Sequence, residues 1–195
     1  FNEINVDPAA DVMGTATVVE GDANCDGASD TVKDEFVEIS NVSAKSLDLT
    51  GVALWDAAAM TGTTPKFVFP AAVLGPGESV LVFGGALGTA PTTSPWCATV
   101  GGGRLGDALA FAGSALGLNN GNETVFLTAT NMKASLALAT AMVPTGKGTD
   151  QSYARDVDFT GAFADYTTIA GRATDRAFTP GTRVSGLPFA SASAP

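Results

Sequence analysis

Glu20-Gly-Asp-Ala-Asn-Cys-Asp-Gly-Ala-Ser-Asp-Thr-Val-Lys-Asp-Glu35 runs directly into Phe36-Val-Glu-Ile-Ser40. The first part has the spacing of a calcium loop. Asp22, Asn24, Asp26 and Asp30 fall at its first, third, fifth and ninth positions, with Gly27 at the sixth and Ala28 at the seventh, where such loops offer a main-chain carbonyl. Calcium is a hard cation that gathers many oxygens, and alternate oxygen side chains in a short loop wrap around one point. Gly27 suits the sharp turn, because glycine takes the required backbone angles without steric cost. The twelfth position, a bidentate Glu in a helix–loop–helix hand, is Lys33; the next carboxylates are Asp34 and Glu35. That shift argues against paired helices. Val37 and Ile39 alternate with Glu38 and Ser40, so Asp34 or Glu35 closes the loop as the chain enters a β-strand. A solvated acidic turn has the same residue types, but the oxygen spacing, the glycine and the density of carboxylates together favour Ca2+.

Outward from this loop, short β-rich runs are punctuated by Gly, Pro, Asn and Asp, the pattern of an antiparallel sandwich. Ile4 and Val6 alternate with polar residues before Pro8. Leu47 and Leu49 precede a bend at Gly51, and Phe67-Val-Phe69 ends at Pro70. Ser79-Val-Leu-Val-Phe83 is a continuous apolar strand stopped by Gly84-Gly85. The Gly- and Ala-rich region 101–118 fits either a short helical turn or an irregular loop. Leu118-Asn-Asn-Gly-Asn122 is a turn feeding Thr124-Val-Phe-Leu-Thr128, and Asn131-Met132 reads as a second hairpin turn. Residues 134–142 have helical propensity, but their place after a hairpin favours a strand. Beyond Val143 the chain reads as a loop-rich tail, 144–195, packed on a single domain spanning 1–195, with Gln151-Ser-Tyr153 and Thr179-Pro-Gly-Thr182 as landmarks.

Composition restricts function. Ten Lys and Arg against twenty Asp and Glu give a net charge of −10. Such a surface repels phosphate backbones and anionic lipid and attracts divalent cations. No apolar run is long enough to cross a bilayer. Histidine is absent, which removes the usual general base and the commonest zinc ligand. Carboxylates crowd into one loop instead of facing each other across an aromatic cleft, so a glycosidase is disfavoured. Trp55 and Trp96 read as packing residues. Asn41-Val-Ser43 and Asn122-Glu-Thr124 match the N-glycosylation pattern. Phe1 in place of an initiating Met reads as the mark of signal-peptide removal, although trimming leaves the same start. In an exported protein Cys25 and Cys97 would pair; in a cytosolic one they would be buried thiols. A bond between them closes a loop of 72 residues, worth about 4 kcal/mol in the chain-entropy description.

Several stretches, in order, resemble the lamin-tail domain. They are Asn2-Glu-Ile-Asn-Val-Asp-Pro8, Gly21-Asp-Ala-Asn-Cys-Asp-Gly27, Asp34-Glu-Phe-Val-Glu-Ile39, Leu47-Asp-Leu-Thr-Gly-Val52 and Trp55-Asp56. Phe69-Pro70, Leu74-Gly-Pro-Gly-Glu-Ser-Val80, Val82-Phe-Gly-Gly85 and Leu116-Gly-Leu-Asn-Asn-Gly121 continue the series. Gln151-Ser152, Thr179-Pro-Gly-Thr182 and Pro188-Phe189 resemble the tail of long bacterial members. The resemblance implies an all-β, immunoglobulin-like antiparallel sandwich, exported and non-catalytic. Two departures stand out: Cys25 replaces the glycine of the usual Asp-Ala-Asn-Gly-Asp-Gly, and 91–104 carries Trp96 and Cys97 outside the general pattern.

The expectation is a calcium-stabilised structural or adhesive module, secreted or on the cell surface, with Asp22, Asn24, Asp26, Ala28, Asp30 and Asp34 or Glu35 around the ion. Its partner would be a protein or cell-surface ligand, copies of itself included, and neither nucleic acid nor a membrane interior. The alternative is a subunit of a self-assembling fibre, with residues 1–6 as a terminal strand able to join a neighbour's sheet.

Overall fold

Thirteen strands appear in the computed structural model, which describes residues 1–9, 21–89, 92–129 and 137–189. In chain order they are β1 (Glu3–Asn5), β2 (Phe36–Ser40), β3 (Leu47–Asp48), β4 (Ala53–Asp56), β5 (Phe67–Val68), β6 (Val73–Leu74) and β7 (Ser79–Phe83). There follow β8 (Arg104–Leu105), β9 (Ala108–Ala112), β10 (Glu123–Thr128), β11 (Ala137–Val143), β12 (Tyr153–Arg155) and β13 (Phe163–Asp165). Among the described residues a seven-stranded sheet has the order β13-β12-β1-β2-β7-β9-β8, and a four-stranded sheet has the order β11-β10-β4-β5. β3 and β6 form a separate ribbon. The pairs are antiparallel except β7 with β9. The fold is an all-β, immunoglobulin-like sandwich.

The alternation in β1, β2 and β7 sends Ile4, Val37, Ile39, Val80 and Val82 into the space between the sheets. There they meet Leu54, Phe69, Val125 and Leu127. The opposite face of the large sheet is also covered. Phe36, Leu81 and Phe83 pack there against Trp96, the two cysteines and Phe178. This second layer explains why β7 reads as an unbroken apolar run: all five of its residues are buried.

Three regions resolve differently from their sequence patterns. The 101–118 region contains the β8–β9 hairpin, with β9 aligned on β7. The region beyond Val143 supplies β12 and β13, which extend the large sheet past β1. Three-residue strands carry too little alternation to be read, and their pairing with β1 defines them. Finally, β1 has β12 on one side and β2 on the other. Residues 1–6 are therefore interior to the sheet and offer no free edge to a neighbour. Within 134–142 the strand reading meets β11, while 134–136 and the Asn131-Met132 turn lie outside the described residues.

Candidate functional site

The acidic loop lies at one end of the large sheet, between β1 and β2, folded around its own carboxylates. Asp22 accepts from the backbone N–H of Asp26 (2.9 Å) and Gly27 (3.0 Å), one on each oxygen. Asn24 Oδ1 takes the same Asp26 N–H at 2.9 Å. Asp34, at the mouth of β2, reaches back to the N–H of Asn24 (3.0 Å) and Asp30 (2.7 Å). Side chains spaced along the sequence thus organise the main chain into a closed turn, the local bonding that Asp and Asn favour. Asp22, Asn24 and Asp34 are buried. Asp26 and Ala28 are exposed, and Asp30 is partly exposed.

Glu35 points elsewhere. Adjacent residues entering a strand project to opposite faces, and Glu35 Oε1 accepts from Leu118 N at 3.0 Å while Oε2 has no hydrogen-bond partner. Burial raises its pKa to about 7. Asp34 faces the loop, and Glu35 is not brought to it.

Two buried acids therefore stand together. Burial raises Asp22 to about 6, against the hydrogen bonds from Gly27 and Asp26 and with the Asp26 charge adding to the rise. Burial likewise raises Asp34 to about 7, with Asp22 adding. The nearby Lys33–Asp30 contact, 3.8 Å long and open to solvent, contributes little. Among the described residues no three Asp, Glu, Cys or His side chains form a group arranged to hold a metal ion. The donors at the loop are all oxygens, from two buried carboxylates, the Asn24 amide, the outer acids and main-chain carbonyls; that chemistry suits a hard cation.

The loop is fastened to the outer layer of the fold. Cys25 and Cys97 are disulfide-bonded, with Cα atoms 5.6 Å apart. Trp96 Nε1 donates to the Asp22 carbonyl at 2.7 Å. Cys25 has φ +63°, the left-handed conformation that ordinarily favours glycine. Gly88 N donates to the Asn24 carbonyl at 2.8 Å, and a Cβ there would stand 1.7 Å from the Cys25 carbonyl oxygen. Only glycine permits this approach. Of the two glycosylation patterns, Asn41 is buried, with its amide nitrogen donating to the carbonyls of Lys45, Leu74 and Gly75.

A second polar centre has no counterpart in the sequence reading. Glu3 and Glu38 are cross-strand partners, and both are buried on the outer face of the large sheet. Glu3 accepts from Thr179 N (2.8 Å) and Thr179 Oγ1 (3.0 Å). Glu38 accepts from Asn2 Nδ2 (2.8 Å) and Gly181 N (2.8 Å). The Thr179-Pro-Gly-Thr182 landmark is thus the turn through which the tail docks on the sheet. Burial raises Glu3 to about 7. It raises Glu38 well above the carboxylate range, with the Glu3 charge next in importance.

The profile of the Lamin Tail Domain family matches residues 8–145. No curated protein and no solved structure matches the chain.

Proposed function

The chain belongs to the lamin tail domain family, and from that premise we propose that it is an exported, calcium-stabilised structural or adhesive module. The family is one of non-enzymatic, immunoglobulin-like structural domains. The chain's own residues agree with that class, since the buried carboxylates of Asp22, Asp34, Glu3 and Glu38 are spent on main-chain amides.

The observation that carries the calcium reading is the Asp22–Asp34 pair, both buried and near enough for the Asp22 charge to act on Asp34, with no cationic side chain within ion-pair distance of either among the described residues. Calcium would be held by Asp22, Asn24, Asp26, Asp30 and Asp34 with the Ala28 carbonyl. It would offset the mutual repulsion of the acids and fix the loop against β2. The disulfide supports an oxidising, extracellular setting, and no helix among the described residues is long and apolar enough to cross a membrane. A net charge of −10 favours a protein or cell-surface partner over nucleic acid.

Thermal unfolding in EGTA and in excess calcium tests this. Extracellular sites bind calcium at roughly 10⁻⁴–10⁻³ M, and a hundredfold excess adds about 2.7 kcal/mol of stability by mass action. The wild type is expected to melt higher with calcium, and Asp22→Asn, which keeps one of the two acceptor oxygens that Asp22 offers the Asp26 and Gly27 amides, is expected to lose the increment. A wild-type melting curve that calcium leaves in place overturns the calcium reading.

The alternative is a subunit that assembles with its own copies. The observation favouring it is β11, a seven-residue strand without a charge whose strand partner among the described residues is β10 alone, in place of residues 1–6.

A further inference from the structure

We propose that Asn120 is a site of spontaneous deamidation in the folded protein, and that the change unties the 118–122 turn from the chain leaving β1. The proposal stands apart from the calcium and self-association readings.

Eight asparagines stand in the chain, and only Asn120 is followed by glycine. Asn2, Asn5, Asn24 and Asn41 are buried, while Asn119, Asn120 and Asn122 are exposed. The following residue matters because its backbone nitrogen is the attacking atom. A side chain there crowds the approach, and glycine has none. Gly121 has φ +121°. Its chain neighbours aside, no heavy atom stands nearer than 3.7 Å to the place its Cβ would occupy, so the peptide has room to turn. Its N–H donates to the Asn119 carbonyl at 2.6 Å. That closes a three-residue turn, with one bond to open before the nitrogen is free.

The reaction needs only water and hydroxide. Gly121 N gives up its proton and bonds to Asn120 Cγ; the Cγ–Nδ2 bond breaks and the nitrogen leaves as ammonia. Water then opens the succinimide ring at either carbonyl, leaving an aspartate or an iso-aspartate. Attack within one chain to close a five-membered ring proceeds at a high effective concentration.

The atom that leaves is one the fold uses. Asn120 Nδ2 donates to Asp7 Oδ1 at 2.7 Å, and Asp7 lies just beyond β1, which ends at Asn5. This bond ties the turn before β10 to the chain leaving β1. The product sets a carboxylate against the Asp7 carboxylate, acceptor against acceptor and like charge against like charge. It does so on a chain already carrying −10. The base of the turn stays held, since Leu118 N and Asn119 N donate to Glu35 and Glu123. The loosening is thus confined to the tip of the turn and its contact with Asp7.

Peptide mapping by mass spectrometry of native protein aged at pH 6 and pH 8 reads the reaction. The Asn120 peptide should gain about 1 Da, faster at pH 8 because the attacking nitrogen must lose its proton. Gly121→Ala, and Asn120→Gln, which needs a six-membered ring, should each slow it by about tenfold or more. Hydrogen exchange reads the untying. Asn120→Asp should speed exchange across 119–122 by about fivefold. Adding Asp7→Asn, which moves the donor to the other side of the contact, should restore the wild-type rate. An Asn120 that stays intact in the native protein while the urea-unfolded chain deamidates there overturns the proposal, as does modification that falls first on another asparagine. Exchange that Asn120→Asp leaves unchanged overturns the untying.

Discussion

Glu3 and Glu38 face each other across β1 and β2, and both carboxylates turn away from the sandwich core to bind one turn of the C-terminal tail. Each makes its tail contact with the backbone N–H of a residue in Thr179-Pro-Gly-Thr182, so two buried acids hold a segment far away in sequence. Asp158 lies close to both and adds its charge, while Asn2 is shared between Glu38 and Asp158. Among the described residues no Lys or Arg forms an ion pair with either glutamate. Thr179 Oγ1 can accept as well as donate, which lets Glu3 Oε2 carry a proton without losing the contact.

The consequence is a stability that declines as pH rises. A carboxyl whose folded pKa exceeds its unfolded value keeps, in the native state, a proton that the unfolded chain has released. For Glu3 this applies between about 4.5 and about 7, so its contribution favours folding at pH 5 and is lost by pH 8. Asp22 and Asp34 act in the same direction, so the mutant comparison isolates the pair. Glu3→Gln keeps an acceptor for Thr179 N, gives a donor to Thr179 Oγ1 and removes the charge. It should raise stability at pH 8 by on the order of 3 kcal/mol and have little effect at pH 5. Urea unfolding at both values, with calcium fixed, reads the difference. A Gln variant equally or more destabilised at pH 8 than at pH 5 would show that the buried charge is compensated.

The disulfide and the backbone at Cys25 make separable contributions. Replacing both cysteines by Ser should cost about 2–5 kcal/mol, the usual range for a native bridge. Cys25→Gly with Cys97→Ser loses the same bridge but places glycine where φ is +63°. Relief of left-handed strain is partly offset by the greater freedom of glycine in the unfolded chain. The Gly–Ser variant should therefore be the more stable of the two by about 0.5–1 kcal/mol. Equal stabilities in chemical denaturation would mean that Cys25 is unstrained.

How far the sequence discloses this molecule depends on the length of each pattern. β2, β7 and β10 are five or six residues long, enough for their alternating or continuous apolar runs to be read directly. β12 and β13 are three residues each and become visible only through their pairing with β1. The loop's oxygen spacing is legible, but the choice between Asp34 and Glu35 is not. It depends on which face each adjacent residue takes, and pairing with β1 and β7 sets that. Glu3 and Glu38 are hidden for another reason. A polar residue alternating with apolar ones is the pattern of a solvent-facing strand, and here the tail takes the place of solvent. The signal available was the Thr-Pro-Gly-Thr turn, a tight polar landmark in a segment otherwise without pattern.

Asn41 joins three pieces of backbone where β2 ends. Its amide nitrogen donates to the carbonyls of Lys45, Leu74 and Gly75 at 2.8–3.0 Å. Its oxygen accepts from Ser43 N and Ser43 Oγ at 3.0 and 2.8 Å. Both ends of the amide are thus in use, and they require opposite chemistries: a donor toward the β6 end and an acceptor toward the 42–45 turn. Asn41→Ala removes the amide donor from the buried Leu74 carbonyl, while the Lys45 carbonyl keeps Ser43 Oγ and the Gly75 carbonyl keeps Glu78 N, and should cost about 1–3 kcal/mol. Asn41→Asp is nearly isosteric and keeps the acceptor, yet it turns a charged oxygen onto three carbonyl oxygens. It should be worse than Ala at pH 7 and recover partly as acid protonates the new carboxyl, because a buried acid facing acceptors has a raised pKa. Denaturation midpoints for the two variants at pH 7 and pH 5 decide the matter. If Asp is tolerated as well as Ala at pH 7, the amide nitrogen is not the group that holds this corner together.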